Sequence, residues 1–217
     1  MRRILIATLG VAILTGTVLA VRGAAAGPPV PPAQAAEAAA AAGHQHPAAA
    51  TNGGGGKGLA AQLAKARLAT ARYTTSLHAA KADGYQLITP MIPDMGYHYL
   101  NPTIHGFDAT KPHILVYQRR GHAWTLGALE WVFPTTPSTP PLPGATHGSF
   151  AAACHYHDGS FVVAAAQDQC ARRSPETGAA FSFWHPDLVT LHLWLWYHNP
   201  DGRYSGTNPL IQPYNRG

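Results

Sequence analysis

Apolar residues recur at alternating four- and three-residue spacing between residues 59 and 82, which is the pattern of an amphipathic helix. Lysines and arginines lie at other positions of the same segment. Gly84 follows and is expected to end the helix. The apolar stripe comprises Leu59, Leu63, Ala66, Thr70, Tyr73, Leu77 and Ala80. We therefore expect one N-terminal helix whose apolar face packs on a sheet.

Later segments have the pattern of β-strands. Residues 114–117 and 124–133 alternate or run apolar on either side of a turn with two arginines and a glycine, which predicts a hairpin. Residues 188–197 are leucine, valine and aromatic residues followed by a turn sequence, which predicts a central strand. Prolines in residues 87–102 and 134–143 predict long proline-rich loops. We expect an α+β fold with one N-terminal helix packed on a mostly antiparallel sheet.

Alternation along these strands predicts which side chains share a face. Glu130 is the only acid in its strand, and its face is expected to include Leu126, Ala128 and Val132. In the central strand, the leucines are expected to form one face with Tyr197. The other face is expected to carry His192, Trp194, Trp196 and His198.

The N-terminal segment predicts export from the cytoplasm. Arg2 and Arg3 precede residues 4–21, which carry no charge and no proline, and this is the composition of a secretory signal. We expect residues 1–22 to be a signal peptide and the protein to be secreted or extracytoplasmic. The alternative is an uncleaved membrane anchor formed by residues 4–21, which would be the chain's only membrane contact.

Composition divides the rest of the chain in two. Residues 23–57 are rich in alanine, proline and glycine and are predicted to be a disordered tether. Residues 58–217 have the size of a single globular domain. After residue 22 the chain has 12 Lys and Arg (15 less Arg2, Arg3 and Arg22) against 10 Asp and Glu, a net charge of +2. This balance argues against a nucleic-acid partner and leaves a small molecule or an envelope partner open.

The two cysteines of the chain are Cys154 and Cys170. In an exported protein they are predicted to form a disulfide, because the compartment is oxidising. The alternative is a metal site in which a Cys154 thiolate acts with His155 and His157.

Histidine is unusually dense, since ten of the 13 histidines lie between residues 98 and 198. Histidine is the commonest metal ligand, and a buried carboxylate needs a cation, a metal or its own proton as a partner. We therefore predict that His98, Glu130 and His192 converge on a two-histidine, one-carboxylate centre for zinc or copper. His155 and His157, which share one side of a strand, form a second candidate ligand pair.

Other interpretations of these residues stay open. Glu130 could pair with Arg119 or Arg120 across the hairpin, and His192 could be an ordinary core histidine. His185 could join either histidine group. A small-ligand pocket is also possible, and its candidate residues are Trp194, Trp196, Tyr97 and His185.

Several short phrases resemble those of an exported bacterial family of unassigned function. They are Met95-Gly96-Tyr97-His98-Tyr99, His192-Leu193-Trp194-Leu195-Trp196, Asn199-Pro200-Asp201-Gly202 and Asn208-Pro209. The similarity covers residues 59–213 and implies a recurrent domain, but it implies no reaction, ligand or site residue.

No complete catalytic motif is present. The chain has no Gly-x-Ser-x-Gly, no phosphate loop and no dinucleotide fingerprint, so no reaction is assigned. The sequence predicts a secreted or cell-envelope domain with a histidine-lined pocket that binds zinc or copper. The alternative is a small-ligand, structural or interaction domain of the cell envelope.

Overall fold

The computed structural model describes His44–Gln45 and residues 56–214, with side chains described for residues 58–211. The predicted signal peptide and most of the predicted tether lie outside the described residues. All described residues belong to one compact unit. Within them, no helix is both long enough and apolar enough to cross a membrane.

The predicted N-terminal helix is present but interrupted. It consists of α1 (Gly56–Thr70), a 3-10 turn (Ala71–Tyr73) and α2 (Leu77–Ala82). The break frees the Thr74 carbonyl, which accepts a hydrogen bond from the Leu126 amide at 2.9 Å. The Ser76 side chain then caps α2 by accepting from the Ala79 amide. Gly84, with φ of 95°, follows the helix as predicted.

Ten strands form two sheets in the described residues, and every pairing between strands is antiparallel. The strands are β1 (His44–Gln45), β2 (Gln86–Leu87), β3 (Tyr97–Leu100), β4 (Ile114–Arg120), β5 (Ala123–Phe133), β6 (Gly148–Phe150), β7 (Ala153–Tyr156), β8 (Phe161–Val163), β9 (Phe181–His185) and β10 (Leu188–Trp194). The larger sheet has the order β1-β6-β10-β5-β4-β3-β2, and the smaller has the order β8-β7-β9. The predicted hairpin is β4–β5, and the predicted central strand is β10. The α+β fold class is therefore confirmed.

The first strand lies within the predicted tether. His44 pairs with Phe150 and Gln45 pairs with Ser149, so β1 forms one edge of the larger sheet. The first helix begins at Gly56, two residues before the predicted domain boundary. Strand β1 and the start of α1 thus lie within the segment that composition alone assigns to a tether.

The larger sheet is apolar on the face that the helices cover. Leu129, Leu191 and Leu193 pack there with Ala66 and Leu77 in the main core cluster. The opposite face carries Val116, Ala128 and Trp194 in a separate cluster. This second face is where polar side chains are buried.

A β-bulge at Gly127 changes the predicted face of Leu126. Val116 pairs with Ala128 but Tyr117 pairs with Leu126, so Gly127 is an extra residue in β5. A Cβ atom at Gly127 would overlap the Gln118 side-chain amide, which explains the glycine. As a result Leu126 packs on the helix face, and the prediction that it shares the face of Glu130 is wrong.

The prediction that Trp194 and Trp196 share a face is also wrong. β10 ends at Trp194, and the amides of Trp196 and Tyr197 both donate to the Gly127 carbonyl. Trp196 therefore turns onto the helix face, where its indole Nε1 donates to Thr70 Oγ1 at 3.0 Å. Tyr197 instead joins the cluster of Trp194.

Candidate metal centre

Three predicted ligands meet on the buried polar face of the larger sheet. Glu130 in β5 and His192 in β10 are directly paired across the two strands. His98 lies in β3, where it pairs with Val116 of β4, and Val116 in turn pairs with Ala128 of β5. The period of two along a strand places His98, Glu130 and His192 on one face. Three separate strands therefore supply the three side chains.

The side chains are close enough to share one ion. Glu130 Oε2 lies 3.2 Å from His192 Nε2 and 3.6 Å from His98 Nε2. One donor atom from each residue lies within 4.8 Å of the other two, and all three side chains are 0% exposed. The group could hold a metal ion, and it is the only such group of three or more ligand-type residues within the described part of the chain.

The orientation of His98 is fixed by Thr89, a residue that the sequence analysis did not identify. His98 Nδ1 lies 3.0 Å from Thr89 Oγ1, and the His98 amide donates to the same hydroxyl oxygen at 3.2 Å. This contact directs His98 Nε2 toward Glu130. Outer hydrogen bonds of this kind hold a ligating imidazole in one orientation and one tautomer.

The protonation state of His192 suits metal binding. Burial lowers the pKa of the His192 imidazole to about 3, so the ring is neutral at pH 7. Neutral imidazole is the form that binds metals. With the carboxylate ionised and both imidazoles neutral, the forms in which these groups bind metals, the donor set would carry a charge of −1, which complements a divalent cation.

A fourth histidine, His113, lies near the centre but is not available as a ligand. Its Nδ1 accepts from the Val132 amide at 3.1 Å, and its Nε2 donates to the Gly106 carbonyl at 2.7 Å. Both ring nitrogens are therefore occupied by backbone groups. Burial lowers the pKa of His113, which keeps this arrangement neutral.

The alternative pairing of Glu130 with Arg119 or Arg120 is not formed. Arg119 and Arg120 lie at the turn end of the β4–β5 hairpin, where they pair with Trp124 and Ala123. The Arg119 side chain donates to the Gly121 carbonyl and lies over the Trp124 ring. Both arginines are thus separated from Glu130 along the hairpin.

The second predicted ligand pair is not brought together. His155 is fully buried in β7, whereas His157 lies beyond the end of that strand and is exposed. A bulge between His155 and Tyr156 disrupts the regular alternation there. His155 meets His185 instead, with ring centroids 5.0 Å apart.

The residues predicted to line a ligand pocket are also separated. Trp194 and Trp196 line one cleft of about 590 Å³, but Tyr97 and His185 are not among the residues that line it. Tyr97 packs against Trp124 on the helix side of the sheet, and His185 belongs to the smaller sheet.

The predicted disulfide is confirmed. Cys154 and Cys170 are bonded, with their Cα atoms 5.6 Å apart. The alternative of a Cys154 thiolate site is therefore wrong, because the sulfur is not free to bind a metal. The bond indicates an oxidising environment.

Comparison with known proteins finds no matching protein family, no matching curated protein and no matching solved structure. The resemblance to an exported bacterial family therefore stays a prediction.

Proposed function

We propose that this protein is an exported domain that binds one zinc or copper ion between His98, Glu130 and His192. The proposal depends on one observation, which is that the three donor atoms lie within 4.8 Å of one another in a fully buried position. A carboxylate in such a place is costly unless positive charge or hydrogen bonds offset the loss of water. A divalent ion would supply that charge directly.

The donor types narrow the choice of metal. Two imidazole nitrogens and one carboxylate oxygen suit zinc and copper, whereas calcium and magnesium prefer sites made of oxygen atoms alone. The burial of all three ligands favours an ion that is retained inside the protein. The disulfide and the predicted signal peptide together support a site of action outside the cytoplasm.

Metal analysis of the purified full chain without an affinity tag tests this proposal. We expect one equivalent of zinc or copper in the protein as isolated, or after addition of the ion to chelator-treated protein. The variant Glu130→Gln should lose the ion, and Glu176→Gln, which changes an exposed acid, should retain it. If the protein takes up neither ion from micromolar solution, the proposal is wrong.

A second candidate function is binding of a small anion in the cleft beside Trp196. Arg67 and Arg203 line this cleft, and none of the described residues that line it is acidic. The Arg67 guanidinium lies 5.7 Å from the Trp196 ring centroid. Quenching of tryptophan fluorescence by galacturonate, but not by neutral galactose, would support this function. Equal responses to the two sugars, or no response, would reject it.

A further inference from the structure

A second pair of buried histidines lies in the smaller sheet. His155 in β7 and His185 in β9 belong to adjacent strands, and His185 pairs with Ala153. Their ring centroids are 5.0 Å apart, with an angle of 34° between the ring planes. Their relative exposures are 0% and 9%. Neither residue has a role in the centre proposed above.

The hydrogen bonds fix the tautomer of each ring. His155 Nδ1 lies 2.7 Å from the Ile88 carbonyl oxygen, and His185 Nδ1 lies 2.7 Å from the Pro186 carbonyl oxygen. A carbonyl oxygen can only accept, so each Nδ1 carries the proton. Each neutral ring then has an unprotonated Nε2. Both Nε2 atoms are buried, and neither has a hydrogen-bond partner among the described residues.

Two such acceptors in one place require an explanation, because buried polar groups in native proteins are rarely left without a partner. The surrounding side chains cannot supply hydrogen bonds. Phe183 stacks on His155 with centroids 4.6 Å apart, and Phe150 lies 4.8 Å from His185. Phe161 also stacks on the His155 ring, with centroids 5.5 Å apart. The two rings that carry these nitrogens are therefore packed against apolar aromatic side chains.

The chemistry of this site favours a soft monovalent cation. Two neutral imidazoles supply no negative charge, and Asp187, the carboxylate within electrostatic reach of His185, is exposed and accepts from the Ala152 amide. The cost of burying an ion rises steeply with its charge, so a divalent ion is disfavoured. Met95 adds a polarizable thioether to the same cluster as Phe150 and Phe161.

We propose that His155 and His185 bind one Cu(I) ion through their Nε2 atoms. Cu(I) is soft, carries a single charge and accepts two nitrogen ligands, so it suits this pair better than zinc does. The site differs in donor set from the centre at Glu130, which has a carboxylate and suits a divalent ion. Binding involves no change of oxidation state, because the ion enters and stays as Cu(I).

The test uses the full chain with its disulfide intact. The centre at Glu130 is first saturated with zinc, and Ag(I), a redox-inert analogue, is then added to protein labelled with nitrogen-15. The same titration is repeated with Cu(I) without oxygen against a coloured Cu(I) chelator. We expect one equivalent to bind and to shift the Nε2 resonances of both His155 and His185.

Variants show whether the ion binds to His155 and His185 or to other histidines. His155→Asn and His185→Asn keep a side-chain N–H near the position of Nδ1 but remove Nε2, so the bonds to Ile88 and Pro186 can persist. Each variant should weaken Cu(I) binding by more than about 10-fold. Loss of only a hydrogen-bond partner of a metal ligand already lowers metal affinity by at least that factor, and these variants remove a ligand itself. His157→Asn, at the exposed position two residues on, should leave binding unchanged. Circular dichroism confirms that each variant is folded.

Two results would overturn the proposal. In one, wild-type protein binds no Cu(I) or Ag(I) in competition with the chelator. A water molecule that donates to the two buried Nε2 atoms would then explain their lack of a protein partner. In the other, binding persists in both Asn variants but disappears in Glu130→Gln without added zinc, which assigns the ion to the first centre.

Discussion

Glu130 and His192 occupy directly opposed positions on β5 and β10, and their side chains approach to 3.2 Å between Oε2 and Nε2. The register of the two strands alone places them together. Both residues are fully buried, so the contact excludes water and its electrostatic effect is strong.

Replacing Glu130 with glutamine should separate metal binding from folding. The amide keeps the shape of the carboxylate but carries no charge. We therefore expect zinc affinity to fall by more than the ~10–100-fold that is typical when a metal ligand loses its hydrogen-bond partner. The stability of the metal-free protein should stay equal or rise, because a buried charge is removed. Zinc titration and urea unfolding in chelator measure the two effects. Marked destabilisation of metal-free Glu130→Gln would contradict a binding role.

Thr89→Val should weaken the centre without touching a ligand. Valine has nearly the same shape but cannot bond to His98 Nδ1, so we expect zinc affinity to fall about 10–100-fold. The lost hydrogen bonds should also lower the free energy of unfolding by about 1–3 kcal/mol. Thr207→Val, at an exposed position, is the matched control. Unchanged zinc affinity in Thr89→Val would show that Thr89 does not orient the ligand.

Bound metal should stabilise the fold because all three ligands come from different strands. At a free zinc concentration of 100 times Kd, the expected gain is about 2.7 kcal/mol in the free energy of unfolding. Thermal unfolding with zinc and after chelation measures the gain. In Glu130→Gln the two unfolding curves should coincide, and a persisting difference would place the zinc elsewhere.

The stability of the metal-free protein should rise with pH through the acidic range. Burial lowers the pKa values of His192 and His155 to about 3, from an ordinary value of 6.5. Between pH 3 and 6.5 the unfolded chain binds these protons and the folded chain does not, so stability falls as pH falls. Each histidine adds a slope of about 1.4 kcal/mol per pH unit in that window.

Urea unfolding at several pH values between 4 and 6 isolates this effect. Wild type also contains carboxylates that titrate there, so the informative quantity is the difference from His155→Asn. The variant should have a shallower slope by about 1.4 kcal/mol per pH unit. Parallel curves would show that His155 is protonated in the folded protein.

The disulfide should contribute measurably to stability. It joins residues separated by 16 positions and connects β7 to the segment before β9. Loop-closure entropy for such a span predicts that the Cys154→Ser, Cys170→Ser double variant loses about 3 kcal/mol. Urea unfolding of the double variant and of reduced wild type should agree. A loss in one but not the other would point to an effect of the serines.

Much of the fold follows from local patterns in the sequence. The β4–β5 hairpin, the central β10 strand and the burial of Glu130 are all visible as runs of apolar residues interrupted by one acid. The meeting of Glu130 with His192 and His98 follows from the cost of burying a lone carboxylate. The disulfide follows from the number of cysteines and the predicted compartment.

The predictions that the structure contradicts depend on contacts between distant parts of the chain. The bulge at Gly127 involves the close approach of Gln118 from the neighbouring strand, and it reverses the face of Leu126. Trp196 lies beyond the end of β10, where its amide donates to the Gly127 carbonyl. The pairing of His155 with His185 depends on the contact between β7 and β9. Such contacts join distant parts of the chain, and a single bulge reverses the alternation from which faces are predicted.

Ile88 and Thr89 are consecutive residues, and they contact histidines of two different proposed sites. The Ile88 carbonyl accepts from His155, and the Thr89 hydroxyl contacts His98. If metal binding at one proposed centre displaces this peptide, the displacement also reaches a histidine of the other pair. Any resulting change in affinity must be reciprocal, so zinc and Cu(I) would alter each other's binding by the same factor.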